Sequence, residues 1–236
     1  MSKGWLAVLV LALAGCGGSN APAYSLNFDD GYESAHVSGL PIVEAAGYKT
    51  TQFIVTGFLS NPEFVTQGQV LQMDADGHEI AAHTRTHSHL PTLTDQQQQE
   101  EIQGSYQDLC MLLSHCPQNF AYPYGDFDAA TLSLVQSTGY LSARTAHKQY
   151  NGGNANRWEL AAYILSSTSQ FSDVQAFIDG ASGRRVWAII VIHRIDDTGN
   201  SISITHQLLQ QIVDYLKQKN ANVVTQTEGL HWIGLE

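Results

Sequence analysis

The segment HTRTHSH, residues 83–89, carries three histidines in seven positions. Two histidines that bind one zinc ion must each place a ring nitrogen about 2.0–2.1 Å from it. Along an extended strand His83 and His87 would be about 13 Å apart, whereas in a turn they are neighbours. A shared metal therefore requires the preceding strand to end at about His83. A polar surface segment is the alternative, and His89 is expected to point elsewhere, on the surface or in support of the site.

Polar side chains also follow other strand-like segments. Asp29 and Asp30 follow a short strand, Tyr122-Pro123-Tyr124-Gly125 follows another, and a nearly continuous apolar run ends at His193. The carboxyl ends of parallel strands form the functional face of α/β folds. Two histidines and one carboxylate make a catalytic zinc set with positions left for water and substrate. Taken singly, each feature has a structural alternative: a hydrogen-bonded turn, a rigid proline turn or a buried structural histidine.

The chain alternates strand-like and helix-like segments from about residue 24 onwards. Strands are predicted at residues 25–28, 50–55, 78–82, 119–122, 141–145, 185–193 and 221–225, and helices at 40–46, 70–75, 95–113, 129–137, 171–178 and 203–219. The stretch 147–170 is loop-rich. This alternation favours a parallel sheet with crossover helices, either closed into a barrel or doubly wound. Without an internal repeat or an interdomain linker, the chain is predicted to form a single domain.

The first residues have the pattern of an export signal. The apolar run Trp5–Ala14 is shorter than the ~20 residues that span a bilayer, and it ends in Leu13-Ala14-Gly15-Cys16, which resembles the lipobox of bacterial lipoproteins. This predicts a signal peptide over residues 1–15, then a lipidated Cys16 and a flexible linker to residue 23. The protein would be anchored to a bacterial membrane on its periplasmic or cell-surface side. The alternative is an ordinary signal, cleaved a few residues later, and a secreted protein.

Two further cysteines are six residues apart. In an exported protein, Cys110 and Cys116 are expected to form a disulfide. Within one helix their Cα atoms would be about 9 Å apart, too far to bridge, but Pro117 takes Cys116 out of helical geometry. Two buried free thiols are the alternative.

Composition narrows the class of protein. The 236 residues include 43% apolar residues, which is typical of a globular protein with a sizeable core. The formal net charge is −11, from 22 acidic and 11 basic side chains. Because phosphate binding needs clustered Lys and Arg, and no such cluster is present, a nucleic-acid partner is not expected.

Four segments together resemble the motifs of the polysaccharide deacetylases, carbohydrate esterase family four with its NodB-homology domain. In order, they are Asn27-Phe28-Asp29-Asp30-Gly31, His83-x-x-x-His87, Phe120-Ala121-Tyr122-Pro123-Tyr124-Gly125 and Val191-Ile192-His193. The resemblance covers about residues 24–230 and implies a catalytic domain over residues 24–236. It also implies an α/β fold, a distorted (β/α) barrel with about seven parallel strands.

The resemblance implies a function as well. The expected reaction is metal-dependent removal of N-acetyl groups from a GlcNAc-containing polysaccharide or oligosaccharide, chitin-like, poly-N-acetylglucosamine or peptidoglycan. An O-acetyl esterase of the acetylxylan type is the nearest alternative, and a non-catalytic glycan-binding lipoprotein is a third. Zinc is the expected ion, with cobalt or nickel as alternatives, because such sites accept several divalent cations. The acetylated glycan is the expected partner, and lipid on Cys16 is the only expected membrane contact.

Carried over by position, the resemblance implies three metal ligands: Asp30, His83 and His87. Asp29 matches the catalytic base, His193 the general acid, and the backbone N–H of Tyr124 the oxyanion donor. These roles make chemical sense, because a metal acidifies its bound water, an oxyanion needs a hydrogen-bond donor, and an amine leaves only when protonated.

The chain departs from the family pattern at two places. Ala121 stands where many members have an arginine that pairs with the base. Arg144, at the end of the next strand, could replace it, or could be a structural or surface residue. The family often pairs its acid histidine with an aspartate, yet Glu159 is the only acidic residue from Arg144 to Tyr163. The partner of His193 is therefore left open.

Overall fold

A computed structural model describes residues 20–235 of the chain. Its strands are β1 (Ala23–Asp30), β2 (Thr51–Ile54), β3 (Glu79–Ala82), β4 (Asn119–Ala121), β5 (Ser142–Arg144), β6 (Tyr163–Ile164), β7 (Trp187–Ile192), β8 (Arg194–Ile195), β9 (Ser203–Ile204) and β10 (Asn222–Val223). Its helices are α1 (Leu40–Ala45), α2 (Gln67–Ala75), α3 (Asp95–Leu112), α4 (Ala129–Thr138), α5 (Phe171–Gly180), α6 (His206–Gln218) and α7 (Gln226–Ile233). The predicted signal peptide and lipidated cysteine lie outside the described residues. No helix of residues 20–235 is long and apolar enough to cross a membrane.

The first seven strands form one parallel sheet. Their order is β5-β4-β3-β2-β1-β7-β6, and β10 pairs with the first residues of β1. The segment 160–164 connects the two edges, because Leu160 bridges to β5 while Tyr163–Ile164 pair with β7. The sheet is therefore curled into a distorted barrel and is not doubly wound. The predicted fold class, with about seven parallel strands in a single domain, is confirmed.

Several predicted element boundaries were wrong. The first strand begins at Ala23, which had been assigned to the linker, and it continues through Asp30. The helix predicted over 203–219 begins only at His206, because the side chain of Thr205 accepts a hydrogen bond from the backbone N–H of Leu208 and caps the helix. The predicted strand 221–225 is shorter, since Thr225 caps α7, a helix that the sequence analysis missed.

Successive side chains along each strand point to opposite faces of the sheet. In β1, Leu26 and Phe28 pack against the surrounding helices, whereas Asn27 and Asp29 face the barrel interior. The interior has polar residues at its base, where the Glu79 carboxylate accepts hydrogen bonds from the α7 N-terminus. A small apolar cluster lies in the middle, formed by Phe53, Ala81 and Ala121. Polar residues return at the carboxyl ends of the strands, where the predicted site lies.

The predicted disulfide is present. Cys110 lies in the last turns of α3, which ends at Leu112, and Cys116 lies in the loop that follows. The two Cα atoms are 4.2 Å apart. Of the two interpretations of this pair, the bridge is confirmed and the free thiols are excluded.

His78, just before β3, is a buried histidine held in its neutral form. Its Nδ1 accepts a hydrogen bond from the Thr50 backbone N–H at 3.1 Å, and its Nε2 lies 3.0 Å from Glu44 Oε1. Burial lowers the pKa of His78 and outweighs the opposing effect of Glu44. Because the unfolded-state pKa is about 6.5, His78 contributes stability above that pH, and this contribution is lost as the pH falls towards the lower folded-state pKa.

We therefore expect His78→Asn to weaken the pH dependence of stability. The free energy of unfolding, from urea denaturation at about pH 7.5 and about pH 5.5, should fall less in the variant than in the wild type. His231→Asn, at an exposed histidine of α7, is the matched control and should keep the wild-type dependence. If the free energy of unfolding falls as much in His78→Asn as in the wild type between the two pH values, His78 does not titrate with unfolding.

Candidate metal and catalytic site

Three predicted metal ligands meet at the carboxyl ends of β1 and β3. The Nε2 atoms of His83 and His87 each lie 3.3 Å from Asp30 Oδ1. One potential ligand atom from each of the three residues lies within 4.8 Å of the others. Asp30 and His83 are buried, whereas one fifth of the His87 side chain is exposed. The cluster therefore has a buried floor and opens on the side of His87.

The backbone after β3 produces this convergence. The strand ends at Ala82, as the metal hypothesis required. Thr84 and His87 then adopt positive φ angles of 66° and 58°, and the Thr84 hydroxyl oxygen accepts a hydrogen bond from the His87 backbone N–H at 3.0 Å. The resulting tight turn brings the rings of His83 and His87 to 4.8 Å between centroids. Left-handed backbone at non-glycine residues is uncommon and is concentrated at functional sites.

The protonation pattern of the cluster fits a divalent cation. His83 Nδ1 lies 2.8 Å from the Ala121 carbonyl oxygen, which can only accept a hydrogen bond, so in a neutral ring Nε2 carries a lone pair. That lone pair faces Asp30 Oδ1, a buried oxygen that accepts no hydrogen bond from any described residue. Two facing lone-pair atoms in a buried site are stabilised by a cation between them, which is either a proton on His83 or a shared metal ion.

The pKa values support the same conclusion. Burial would raise the pKa of Asp30, but the hydrogen bond and charge of His83, together with the charges of His193 and His87, outweigh burial and lower the pKa to about 2. Burial and the charge of His83 lower the pKa of His87 to about 4. Burial opposes a charge on His83, but Asp30 raises its pKa, so a metal would compete with a proton there. The site thus supplies an anionic carboxylate and a neutral imidazole as ready ligands.

Asp29 points away from this cluster and binds an arginine. Arg144 Nη2 donates to Asp29 Oδ1 at 2.7 Å and to Oδ2 at 2.6 Å, and both side chains are almost fully buried. The guanidinium also lies over the Phe53 ring, 4.8 Å from its centroid. Arg144 was interpreted either as a partner of Asp29 or as a structural or surface residue. The geometry favours the first interpretation, in which Arg144 replaces the arginine that many family members have at the position of Ala121. Ala121 and Arg144 are register partners on β4 and β5.

Tyr124 lies at the rim beside the metal cluster. It has a φ of 60° in a short turn over Pro123–Gly125, and the residue is 62% exposed. The ring contacts His87 edge-on at 4.8 Å between centroids and His89 at 5.6 Å. His89 Nε2 lies 2.8 Å from Asp126 and is not part of the metal cluster, as expected. An exposed aromatic ring next to a metal site offers a surface for a sugar ring.

His193 faces the same cleft from the end of β7. Its Nδ1 is buried and has no hydrogen-bond partner among the described residues. Glu159, the acidic residue that the sequence offered as a candidate, instead accepts a hydrogen bond from Asn156 Nδ2 at 2.7 Å. The described part of the chain therefore provides no carboxylate for His193 Nδ1.

All six predicted site residues line one cleft of about 450 Å³, together with Arg144. They are Asp29, Asp30, His83, His87, Tyr124 and His193. Apolar side chains, among them Phe58, Ile164 and Ile202, complete the walls. A carboxylate bound to arginine, a metal-type cluster and a histidine thus share one opening, which is an arrangement suited to hydrolysis by an activated water.

Glu101, which was not among the predicted site residues, holds the turn between His83 and His87 in place. Its Oε2 accepts hydrogen bonds from the backbone N–H groups of Arg85 and Thr86 at 2.9 and 2.8 Å, and its Oε1 accepts one from the Thr86 hydroxyl at 2.6 Å. The available signal was spacing, because Glu101 shares a buried face with Ile102 and Ser105, and a carboxylate on such a face needs partners.

We expect Glu101→Ala to weaken zinc binding by about 10- to 100-fold, because residues that orient metal ligands have effects of that size. The dissociation constant would be measured by competition with a chelator, together with the melting temperature of the metal-free protein. Glu101→Gln should lose less zinc affinity than Glu101→Ala, since the amide oxygen of glutamine still accepts a hydrogen bond. Glu100→Ala, on the exposed face of the same helix, is the control. Equal zinc affinity in Glu101→Ala and Glu100→Ala would show that Glu101 does not support the metal site.

Comparison with known proteins agrees with these motifs. The polysaccharide deacetylase family model matches residues 17–143, more than half of the chain, so the chain belongs to this family. A putative polysaccharide deacetylase of Bacillus subtilis, YxkH, is 30% identical over 115 residues, which are 49% of this chain and 41% of that protein. Chitin deacetylase 1 of Cryptococcus neoformans is 24% identical over 81% of this chain and 38% of its own length. The chain thus spans about two fifths of the length of these relatives.

Solved structures share the fold. The Xyl-CE4 domain of a multidomain xylanase from the hindgut metagenome of Trinervitermes trinervoides superposes with a TM-score of 0.60 at 25% identity, covering 90% of this chain and 91% of that one. A family 4 acetyl xylan esterase from Clostridium thermocellum, solved with a cobalt ion, gives a TM-score of 0.66 at 18% identity, covering 89% and 90%. The second likeness concerns the fold alone.

Proposed function

We propose that this protein is a metal-dependent hydrolase that removes N-acetyl groups from a GlcNAc-containing polysaccharide or oligosaccharide. The main support for this proposal is that two adjacent carboxylates have different partners in the site. Asp30 faces two imidazoles, while Asp29 is bound by a buried arginine in the same cleft. In a site that hydrolyses an amide by an activated water, one carboxylate can serve as metal ligand while a second serves as general base.

The ligands of the cation would be Asp30, His83 and His87, with zinc as the expected ion and cobalt or nickel as alternatives. When bound there, a divalent cation would polarise the acetyl carbonyl and acidify a water molecule. Family membership supports a divalent metal, and the unsatisfied Asp30 oxygen supports its place.

The chain's own residues perform the proton transfers. Asp29 accepts a proton from the attacking water, and Arg144 orients that carboxylate through two hydrogen bonds. The backbone N–H of Tyr124 donates to the oxyanion that develops on the acetyl group. His193, in its protonated form, donates to the leaving nitrogen, because an amine is a poor leaving group until it is protonated.

The proposal is tested by incubating the pure protein with acetylated chitooligosaccharides and zinc or cobalt and measuring released acetate. We expect acetate in proportion to enzyme, and none after chelation of the metal. Absence of release from every amide and ester glycan tested would contradict the proposal.

An O-acetyl esterase is the second candidate, and His193 is the observation that favours it. His193 Nδ1 has no carboxylate partner in residues 20–235, so no hydrogen bond from Nδ1 fixes the orientation of its ring as a proton donor. An alkoxide leaves more easily than an amine, so an ester depends less on this acid. Comparing acetylxylan with chitin oligomers under one condition separates the two candidates, and faster ester turnover would favour the second.

We propose that the protein is exported and anchored through lipid on Cys16. The support is the lipobox-like sequence before that cysteine. Labelling cells with a clickable fatty acid should mark the wild type but not Cys16→Ser. Equal labelling of both would contradict the anchor, and so would no labelling of either.

A further inference from the structure

Arg85 stands in the middle of the turn that carries two of the proposed metal ligands, His83 and His87. The proposed reaction gives it no role. Thr84 and His87 have positive φ angles, and such backbone persists only where the surrounding contacts hold it in place. One part of this hold is the Glu101 carboxylate, which accepts hydrogen bonds from backbone N–H groups of the turn. The contacts of Arg85 itself supply two more.

The first of these contacts is made by the Arg85 carbonyl oxygen. It accepts a hydrogen bond from the backbone N–H of Gly57 at 2.8 Å. Gly57 lies just beyond β2, and the N–H of its neighbour Thr56 donates to the Thr84 carbonyl oxygen at 3.2 Å. A Cβ atom on residue 57 would overlap the Arg85 carbonyl oxygen, so this close approach requires glycine. The chain after β2 thus holds the turn from one side.

The second contact is made by the Arg85 side chain, which lies across α3. Its Nε and Nη2 atoms donate to the two carboxylate oxygens of Asp108 at 2.8 and 2.7 Å. The Thr56 hydroxyl donates to the same carboxylate at 2.8 Å, so Asp108 is linked both to the turn and to the chain after β2. A guanidinium that binds a carboxylate through two parallel hydrogen bonds has a fixed direction. The side chain of Arg85 is therefore anchored at its far end.

Gly104 makes room for this side chain. It lies inside α3, one turn before Asp108, at a position where glycine weakens a helix. A Cβ atom on residue 104 would lie 2.5 Å from the Nε and Cζ atoms of Arg85 and 2.7 Å from its Nη1. An alanine there would displace the guanidinium from its path to Asp108. A residue that is unfavourable for the helix thus stands where the Arg85 side chain crosses it.

We propose that Arg85 is a positioning residue of the metal site. Its side chain lies across Gly104, binds Asp108 and holds the turn of residues 83–87 in the metal-binding conformation before a cation arrives. This role rests on the proposed metal site and adds the reason for its order in the metal-free protein. A turn that is already ordered loses less conformational freedom when a cation binds, so its affinity is higher. Arg85 does not line the catalytic cleft, and it therefore acts through the ligands alone.

A double-mutant cycle tests this role through the dissociation constant for zinc, measured by competition with a chelator. Arg85→Ala and Gly104→Ala should each weaken zinc binding by about tenfold, the lower end of the range for residues that orient metal ligands. The double variant should bind zinc no more weakly than Arg85→Ala, because the added methyl group then has no guanidinium to displace. Additive losses would overturn the proposal, and so would wild-type affinity in either single variant.

Two matched controls accompany the cycle. Gly68→Ala adds a methyl group within α2, where a Cβ atom would meet no other side chain closer than 3.9 Å. Arg184→Ala removes the same positive charge from an exposed position after α5. Both variants should bind zinc as tightly as the wild type. A tenfold loss in either control, about equal to that in the test variants, would show that the effect is not specific to Arg85 and would overturn the proposal.

Hydrogen exchange in the metal-free protein separates this role from the metal proposal. Peptides covering residues 84–89, analysed by mass spectrometry, should exchange about tenfold faster in Arg85→Ala than in the wild type or in Arg184→Ala. Asp108→Asn, which keeps Arg85 but weakens its pairing, should give an intermediate rate. If the wild type binds no zinc but this difference persists, Arg85 holds the turn and the metal proposal fails. Equal exchange in the wild type and Arg85→Ala would overturn the positioning role, whatever the zinc affinity.

Discussion

Replacing Asp29 with Asn is expected to lower kcat/KM by about 10²- to 10⁴-fold, the range associated with loss of a general acid or base. Asparagine has nearly the same shape, and it can still accept a hydrogen bond from Arg144, but its amide cannot take a proton from water. Because Asp29 faces Arg144 and not the imidazoles, the variant should bind zinc as tightly as the wild type. Activity would be measured as acetate release, and zinc content by elemental analysis of the purified protein.

Two results would contradict the role of Asp29. Activity within about tenfold of the wild type would show that another group acts as the base. Loss of zinc in Asp29→Asn would show that Asp29 belongs to the metal site. Asp30→Asn is the informative comparison, since it should lose zinc and activity together.

Replacing Arg144 with Ala is expected to cost about 3–5 kcal/mol of stability, because it leaves a buried carboxylate without its partner. Urea denaturation of the metal-free protein would measure this cost. Activity should fall as well, because Asp29 loses the two hydrogen bonds that orient it in the cleft. Arg144→Lys should retain only part of the stability and part of the activity, because an ammonium group cannot reproduce a planar guanidinium that lies over an aromatic ring.

A second-site variant makes this prediction specific. Ala121 is the register partner of Arg144, on the neighbouring strand. Adding Ala121→Arg to Arg144→Ala returns a guanidinium to the position that many family members use, so activity should partly recover. Wild-type stability and activity in Arg144→Ala would contradict the pairing. No recovery in the double variant would show that the barrel interior accepts the cation from β5 only.

The chemistry of the site was predictable from local patterns, because the six key residues lie at or just after the carboxyl ends of four strands, β1, β3, β4 and β7. The convergence of Asp30, His83 and His87 followed from parallel strands and a required turn after β3, and the structure has both. For Arg144 the sequence offered pairing with the base as one of two interpretations and could not choose between them, because β5 lies four strands from β1 in the sheet order. Only the curl of the sheet brings the guanidinium to Asp29, and sequence spacing does not report curl.

Other features of the molecule were not predicted from the sequence, for different physical reasons. Glu101 was missed because a carboxylate in a polar helix is usually solvated, and its partners are backbone N–H groups of a distant loop. Helix α7 was missed because its capping residue, Thr225, ends a β-branched run that is typical of a strand. The loop-rich stretch 147–170 contains only the two-residue strand β6, whose pairing with β7 is long-range.

The most direct experiment is a crystal structure of the protein loaded with zinc or cobalt, with anomalous scattering recorded at the absorption edge of the metal. We predict a single strong peak about 2.0–2.2 Å from an Asp30 oxygen and from the Nε2 atoms of His83 and His87, with Asp29 still bound to Arg144. A peak elsewhere, or a fully loaded crystal in which Asp30 points away from both histidines, would contradict the proposed reaction at its foundation.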